Sequence, residues 1–140
     1  MVSIEKISRK FIQLDEYLGI IDEIAKAPEN AFLKDKILIG SAKYYLQISI
    51  ECCLDVANHI IAAERYRAPR DYADSFAVLE ENGIFQQQLG QNLRQMTKFR
   101  NRLVHLYGEI DDKFVYEFIK TDIEDIRKFR KVIIRQYGLL

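Results

Sequence analysis

The residues best suited to chemistry in this chain lie in one short run, 100–107, which reads RNRLVHLY. Its Arg100 is a permanent cation, and the planar guanidinium matches the oxygens of a phosphate group. His105 can take up and release a proton near neutral pH, since a free imidazole titrates at about 6.5. A cation beside a proton carrier is what cleavage of a phosphodiester without a metal requires. A single arginine and histidine at this spacing are also expected by chance in helical proteins.

Helical geometry separates these two groups. At 100° per residue, Arg100 and His105 lie about 140° apart around a continuous helix. Both can reach one phosphate if the helix unwinds near Val104, or if two copies face each other in a symmetric dimer. We expect both, so the run is predicted to be a half-site, meaning that one chain supplies only half of the groups that act together. Tyr107 lies on the Arg100 face and is a candidate for modification.

A narrow polar stripe crosses the most apolar helical segment of the chain. At spacings of three and four residues it contains Tyr44, Gln47, Glu51, Asp55 and Asn58. Buried carboxylates cost several kcal/mol each unless they are paired. Arg100 and Arg102 are the candidate partners. The stripe therefore predicts either a buried ion pair that locks two helices together, or carboxylates that orient Arg100.

Charge is balanced over the molecule but not along the chain. The 21 basic and 21 acidic residues give a net charge of zero, so total charge does not indicate nucleic-acid binding. No acidic residue occurs from Asn82 to Gly108. The residues predicted to line a path for RNA are Arg67, Arg94, Lys98 and Arg102. A solvated basic helix face would explain the same pattern.

Apolar periodicity predicts an all-α protein, an up-and-down bundle of four main helices with one additional short helix. The chain of 140 residues fits a single domain over residues 1–140. The predicted helices span about 3–26, 31–65, 71–81 and 85–104, with a last one from Asp111 or Asp112 onward. Ser3 is the predicted first cap, and Asn82-Gly83 and Gly108 are predicted stops.

Several classes of protein do not fit. The adjacent Cys52 and Cys53 are expected to be reduced core residues, because a disulfide between neighbours is strained. With two histidines and no metal-ligand spacing, neither a metal site nor a cofactor is predicted. No secretion signal or uncharged apolar stretch of about 18 residues is present, so a cytoplasmic protein without a membrane partner is expected.

Three segments of the chain resemble the HepT-like branch of the HEPN superfamily. They are FRNRLVHLYGEID, DYADSFAVLEENGI and LQISIECCLDVANHII, and the similarity spans about residues 30–135. The resemblance implies a HEPN-like helical homodimer that acts as a metal-independent endoribonuclease toxin. It also implies an MntA-like nucleotidyltransferase antitoxin that transfers AMP to the motif tyrosine, with RNA (tRNA or mRNA) as the substrate.

By position, the resemblance assigns Arg100 and His105 as the catalytic pair and Tyr107 as the modified tyrosine. Asn101 matches the polar residue that follows the arginine. The polar signature of the second helix is matched by Asp55, Asn58 and His59, with Glu51 on the same stripe. Arg102 departs from the family pattern, because an apolar residue is expected at that position.

Two other functions remain compatible with these patterns. A non-catalytic nucleotide- or RNA-binding subunit of a nucleotidyltransferase would use the basic surface without proton transfer. A helical interaction module would use the polar stripe only to specify packing, and its motif would be buried away from any cleft.

Overall fold

The computed structural model describes residues 1–139, and for Tyr107 it describes the backbone but not the side chain. The described chain contains α1 (Ile4–Ile24), α2 (Glu29–Lys34), α3 (Lys36–Ala63), α4 (Tyr72–Glu81), α5 (Gln87–His105), α6 (Asp112–Glu117) and α7 (Ile123–Tyr137). A 3-10 turn covers Tyr107–Glu109, and a π-helical segment, Phe118–Asp122, joins α6 to α7. No strand occurs in residues 1–139, so the all-α prediction is confirmed.

The four long helices α1, α3, α5 and α7 form the bundle, and α3 is its central helix. It packs against α1, α4, α5 and α7, and its buried side chains surround most of its circumference. Ion pairs join α7 to α1, between Arg127 and Asp22 at 2.7 Å and between Arg130 and Asp15 at 2.8 Å. The predicted four-helix architecture is confirmed, with α4 as the predicted short helix.

One predicted helix is divided into two. The expected helix over 31–65 breaks at Asp35, whose backbone is extended and whose carboxylate accepts the N–H groups of Ile37 and Leu38 at 3.0 and 3.1 Å. A carboxylate at this position satisfies amide groups that have no partner within the helix. The polar stripe therefore belongs to α3 alone.

The end of α5 also differs from the prediction. The helix stays regular through His105 and ends at Leu106, whose φ of −126° and ψ of 36° leave the helical region. Gly108 lies inside the following 3-10 turn and is not the stop. The other predicted stop is confirmed, because Gly83 follows α4 in the left-handed region at φ +74°.

The core position of α3 explains its composition. By length and hydropathy α3 alone among the described helices could cross a membrane, but 56% of its most apolar window is buried inside the protein. Cys52 and Cys53 are buried on it as free thiols, as predicted. Burial raises the pKa of the Cys52 thiol to about 11, so that this thiol is protonated at neutral pH.

A three-residue ion cluster fixes the loop between α3 and α4. Arg67 donates to both oxygens of Asp74, at 2.7 and 3.0 Å, and to Glu81 at 2.7 and 2.9 Å. The buried Asp74 carboxylate also accepts the backbone N–H of Arg70 at 2.9 Å. These hydrogen bonds, with Arg67 first, hold the pKa of Asp74 well below its usual range.

Replacing Asp74 with Asn should therefore destabilise the protein at neutral pH and have less effect in acid. A carboxyl whose pKa is depressed on folding contributes stability above its unfolded pKa of about 4, and loses it as the pH falls through the folded pKa. The measurement is the free energy of urea unfolding of wild type and Asp74→Asn from pH 7 downward. The difference should narrow below about pH 4. A difference in unfolding free energy that stays constant across this pH range would contradict the lowered pKa of Asp74.

Candidate active site

Arg100 is held between α5, α3 and α4. Its Nε donates to Glu51 Oε2 at 3.0 Å, and its Nη2 bonds the same oxygen. Its Cζ lies 5.3 Å from the centre of the Tyr72 ring, which is a cation–π contact. Nη1 donates to Asn101 Oδ1 at 3.2 Å. Because only 15% of the side chain is exposed, the guanidinium has a fixed position and one edge toward solvent.

The ion pair with Glu51 answers one question that the sequence leaves open. Glu51 lies on the polar stripe of α3, and it also accepts a hydrogen bond from Gln47 Nε2 at 3.4 Å. Because the Glu51 carboxylate binds the guanidinium of Arg100, it joins α3 to α5 and also sets the direction of the arginine side chain in the cleft. The two interpretations of the stripe therefore describe one interaction.

Asp55 and Asn58 line the same cleft, which has a volume of about 220 Å³, but neither contacts Arg100. Asp55 accepts from Lys10 Nζ of α1 at 2.8 Å. Asn58 donates to the Leu54 carbonyl and accepts from Ser75 Oγ at 3.1 Å, which connects α3 to α4. Neither residue has a hydrogen bond with Arg100, and their assignment as residues that orient the site stays a prediction.

His105 is exposed at the last position of α5, and its ring has no hydrogen bond or ion pair with any described residue. Since the helix is regular through His105, the 140° separation from Arg100 (about 100° per residue over five residues) is retained. The prediction that the helix unwinds near Val104 is therefore wrong, because α5 ends only after His105. One chain alone does not direct both side chains to one point.

The basic residues predicted to form an RNA path do not share one groove. Arg67 is bound by Asp74 and Glu81, and Arg94 pairs with Glu80 at 2.8 Å. Arg102 lies over the Phe114 ring, 5.8 Å from its centre, and with the exposed Lys98 it lines a pocket on another side of α5. The predicted common path is corrected, because acidic side chains of α4 neutralise two of its four members.

A basic surface that the sequence analysis missed adjoins the Arg100 cleft. A pocket of about 490 Å³ between α1 and α3 is lined by Lys6, Arg9, Lys10, Asp55 and His59, among others. Asp55 belongs to both the pocket and the cleft. The signal was present as polar residues at positions 6, 9, 10 and 13, one face of α1.

His59 of this surface is tied to the start of α1. Its Nε2 accepts the backbone N–H of Ser3 at 2.9 Å, which assigns the ring proton to Nδ1. Burial, with help from Lys6 and the terminal amino group, lowers the pKa of His59. His59 is thus a neutral structural partner of α1.

The side chain of Tyr107, the predicted modification site, lies outside the described part of the structure. In residues 1–139, no three His, Cys, Asp or Glu side chains cluster as metal ligands.

Comparisons with known proteins identify the family of this chain. The family model described as "Ribonuclease HepT-like" matches residues 14–133. The mRNA nuclease HepT of Shewanella oneidensis is 35% identical over 102 residues, which cover 73% of this chain and 77% of that protein. A putative RNase of Archaeoglobus fulgidus is 26% identical over 118 residues, 84% of this chain and 83% of that one.

Solved structures give the same result. The tri-AMPylated HEPN toxin of Shewanella oneidensis, in complex with an MNT antitoxin, superposes with a TM-score of 0.85 at 31% identity, covering 95% of this chain and 98% of that one. A toxin–antitoxin structure with AMP-PNP has a TM-score of 0.83 at 30% identity, covering 91% and 96%. The chain described above therefore belongs to the ribonuclease HepT-like family of HEPN proteins.

Proposed function

We propose that this protein is a metal-independent endoribonuclease toxin whose active site is formed by two copies of the chain. The observation that carries the proposal is the placement of Arg100 and His105 on different faces of one regular helix. Arg100 is pinned in a cleft by Glu51, whereas the exposed His105 is left without a partner among the described residues. The S. oneidensis relative is an mRNA nuclease, which supports RNA as the substrate.

The chemistry assigned to these groups is transfer of the phosphate to the neighbouring 2′-hydroxyl. One His105 takes the 2′-hydroxyl proton, and the freed oxygen attacks phosphorus. The bond to the 5′-oxygen then breaks, and the protonated His105 returns its proton to that leaving group, directly or through water. Arg100 stabilises the added negative charge in the transition state. The products are a 2′,3′-cyclic phosphate and a 5′-hydroxyl end, and no step needs a metal.

Exposed apolar side chains around Arg100 support a homodimer. Tyr72, whose ring contacts Arg100, is 54% exposed, and Val104, one turn beyond Arg100, is 39% exposed. Tyr44, two turns before Glu51 on the polar stripe of α3, is 54% exposed. Large apolar groups gathered around a polar site on the surface are typical of an interface. A two-fold axis near this patch would bring each chain's Arg100 toward the helix end of its partner.

Control by a nucleotidyltransferase antitoxin is part of the same proposal. The related toxins described above were solved in complexes, one with an MNT antitoxin and in an AMPylated form. We assign Tyr107 as the residue that would receive AMP here, since it lies two positions after His105 in the 3-10 turn. Both reactions use cytoplasmic substrates, so we place the protein in the cytoplasm.

Replacing His105 with Ala should lower RNA cleavage by about 100- to 10,000-fold, the usual contribution of a positioned acid or base. Wild-type cleavage should continue in EDTA and leave 2′,3′-cyclic phosphate ends, which mass spectrometry of the fragments would identify. His59→Ala is the matched control, because His59 is the other histidine and contacts Ser3. Cleavage that needs Mg²⁺, or that survives in His105→Ala, would refute the proposal. RNA binding without cleavage by either protein would favour a non-catalytic subunit.

Replacing Glu51 with Gln tests whether the ion pair positions Arg100. Gln retains the shape but loses the charge, so the guanidinium should move. Misplacement of a catalytic group by about 1 Å lowers turnover by roughly 100-fold. We expect kcat to fall by about tenfold to 100-fold with a smaller change in KM. Asp22→Asn is the control, because Asp22 also pairs with an arginine across two helices, Arg127. Equal loss of activity in both variants would mean that Glu51 serves stability alone.

A further inference from the structure

A second pocket opens on the His105 side of α5, away from the Arg100 cleft. It has a volume of about 380 Å³ and lies between α5 and the segment that joins α6 to α7. The lining residues that matter here are Lys98, Arg102, Phe114, Phe118, Asp122 and Asp125. This volume is of the size that a nucleotide occupies in a binding site.

Helical phase connects this pocket to His105. Arg102 precedes His105 by three residues and Lys98 precedes Arg102 by four, so the three side chains share one face of α5. Arg100 lies on another face, toward α3. A strand of RNA whose phosphate reaches His105 therefore has a neighbouring nucleotide close to this pocket.

One wall of the pocket offers an exposed aromatic ring. Phe114 is 51% exposed, and the Arg102 guanidinium lies 5.8 Å from its ring centre. Deeper in the pocket, Phe99 and Phe118 are stacked at 4.8 Å with an interplanar angle of 12°. An exposed ring beside an arginine plane is a common platform for an unpaired base of single-stranded RNA.

The opposite wall carries two carboxylates, and one of them lacks a hydrogen-bond donor among the described residues. Asp122 has no hydrogen bond or ion pair with any described residue, and Asp125 accepts from Asn92 at 3.2 Å. Partial loss of hydration, with the charges of Asp125 and Glu117, raises the pKa of Asp122, which is an exposed residue. An ionised carboxylate only accepts hydrogen bonds, so this wall suits a ligand with adjacent N–H donors.

The backbone at this wall is also unusual. Phe118 and Asp122 are the first and last residues of the π-helical segment, which places both at the pocket. Single π turns inside helices occur frequently at functional sites. Here the segment combines a stacking ring and an acceptor in one short stretch.

We infer that this pocket binds one guanine base of the RNA, beside the phosphodiester on which His105 acts. Guanine alone among the four RNA bases presents two neighbouring donors, N1–H and the N2 amino group, on its pairing edge. A carboxylate accepts both, and Lys98 or Arg102 can donate to O6 or N7, the usual contacts of these cations with guanine. The inference rests on the proposed function for the identity of the ligand as RNA. It also explains why position 102 has an arginine where the family pattern has an apolar residue, since Arg102 would contact the guanine.

Nucleotide binding tests the pocket without any cleavage. Amide shifts of the ¹⁵N-labelled protein would be followed by NMR during titration with GMP, AMP, CMP or UMP. GMP should bind about tenfold more tightly than the others, and Asp122→Asn should remove that preference. Phe114→Ala should weaken GMP binding about tenfold, whereas Phe114→Tyr retains a stacking ring and should not. Ile12→Ala is the control for loss of an exposed apolar side chain, since Ile12 is 70% exposed on α1.

Equal affinity for the four nucleotides, or an unchanged affinity in Phe114→Ala, would overturn the inference. A second experiment uses short RNAs that contain a single guanosine at different positions. Cleavage should follow the guanosine in wild type and lose that dependence in Asp122→Asn. Cleavage without base preference would leave the ribonuclease proposal intact and refute the guanine pocket. Selective GMP binding by a protein that cleaves no RNA would support the guanine pocket and refute the ribonuclease proposal.

Discussion

The ion pair between Glu51 and Arg100 is the interaction on which the arrangement of the site depends. It joins the central helix α3 to α5 and removes most of the Arg100 side chain from water. A partly buried carboxylate and guanidinium stabilise a protein only when each satisfies the other, and removing one partner leaves an uncompensated charge. Together with the buried Leu93, Met96 and Leu103, the same bond fixes the rotation of α5 about its axis. All other side chains of α5 then have assigned directions, including His105 at its last position.

Two separate surfaces follow from this fixed rotation. The Arg100 face carries the cleft, the exposed Tyr44 and Tyr72 and, through Asp55, the basic surface of α1. The His105 face leads to the Arg102 and Phe114 pocket. Because α5 does not unwind before Leu106, the proposed mechanism brings the two faces to one phosphate by means of a second chain. Under this proposal the chemistry requires a dimer, and RNA cleavage would stop if the dimer interface were blocked or the end of α5 were modified.

Much of the fold could be predicted from the sequence, because apolar residues at steps of three and four specify α1, α3, α5 and α7 directly. The pairing of Glu51 with an arginine could also be predicted, since a carboxylate on a buried helix needs a cation. The π-helical segment was not, because Ile119 and Ile123 keep the spacing of an ordinary α-helix. The predicted basic path was misleading because its acidic partners are distant in the sequence. Arg94 and Arg67 each meet a glutamate of α4 that lies 14 residues away in the chain, and only the packing of the loop and helices shows it.

Complementation between two inactive variants tests the composite site most directly. Arg100→Ala and His105→Ala would be purified separately, mixed under conditions that exchange subunits, and assayed for RNA cleavage. In a mixed dimer one site combines the intact Arg100 of one chain with the intact His105 of the other. About half of the dimers carry one such site, so the mixture should recover roughly a quarter of wild-type activity. A mixture that exchanges subunits and remains as inactive as its components would show that each chain builds its site alone, and would contradict the account.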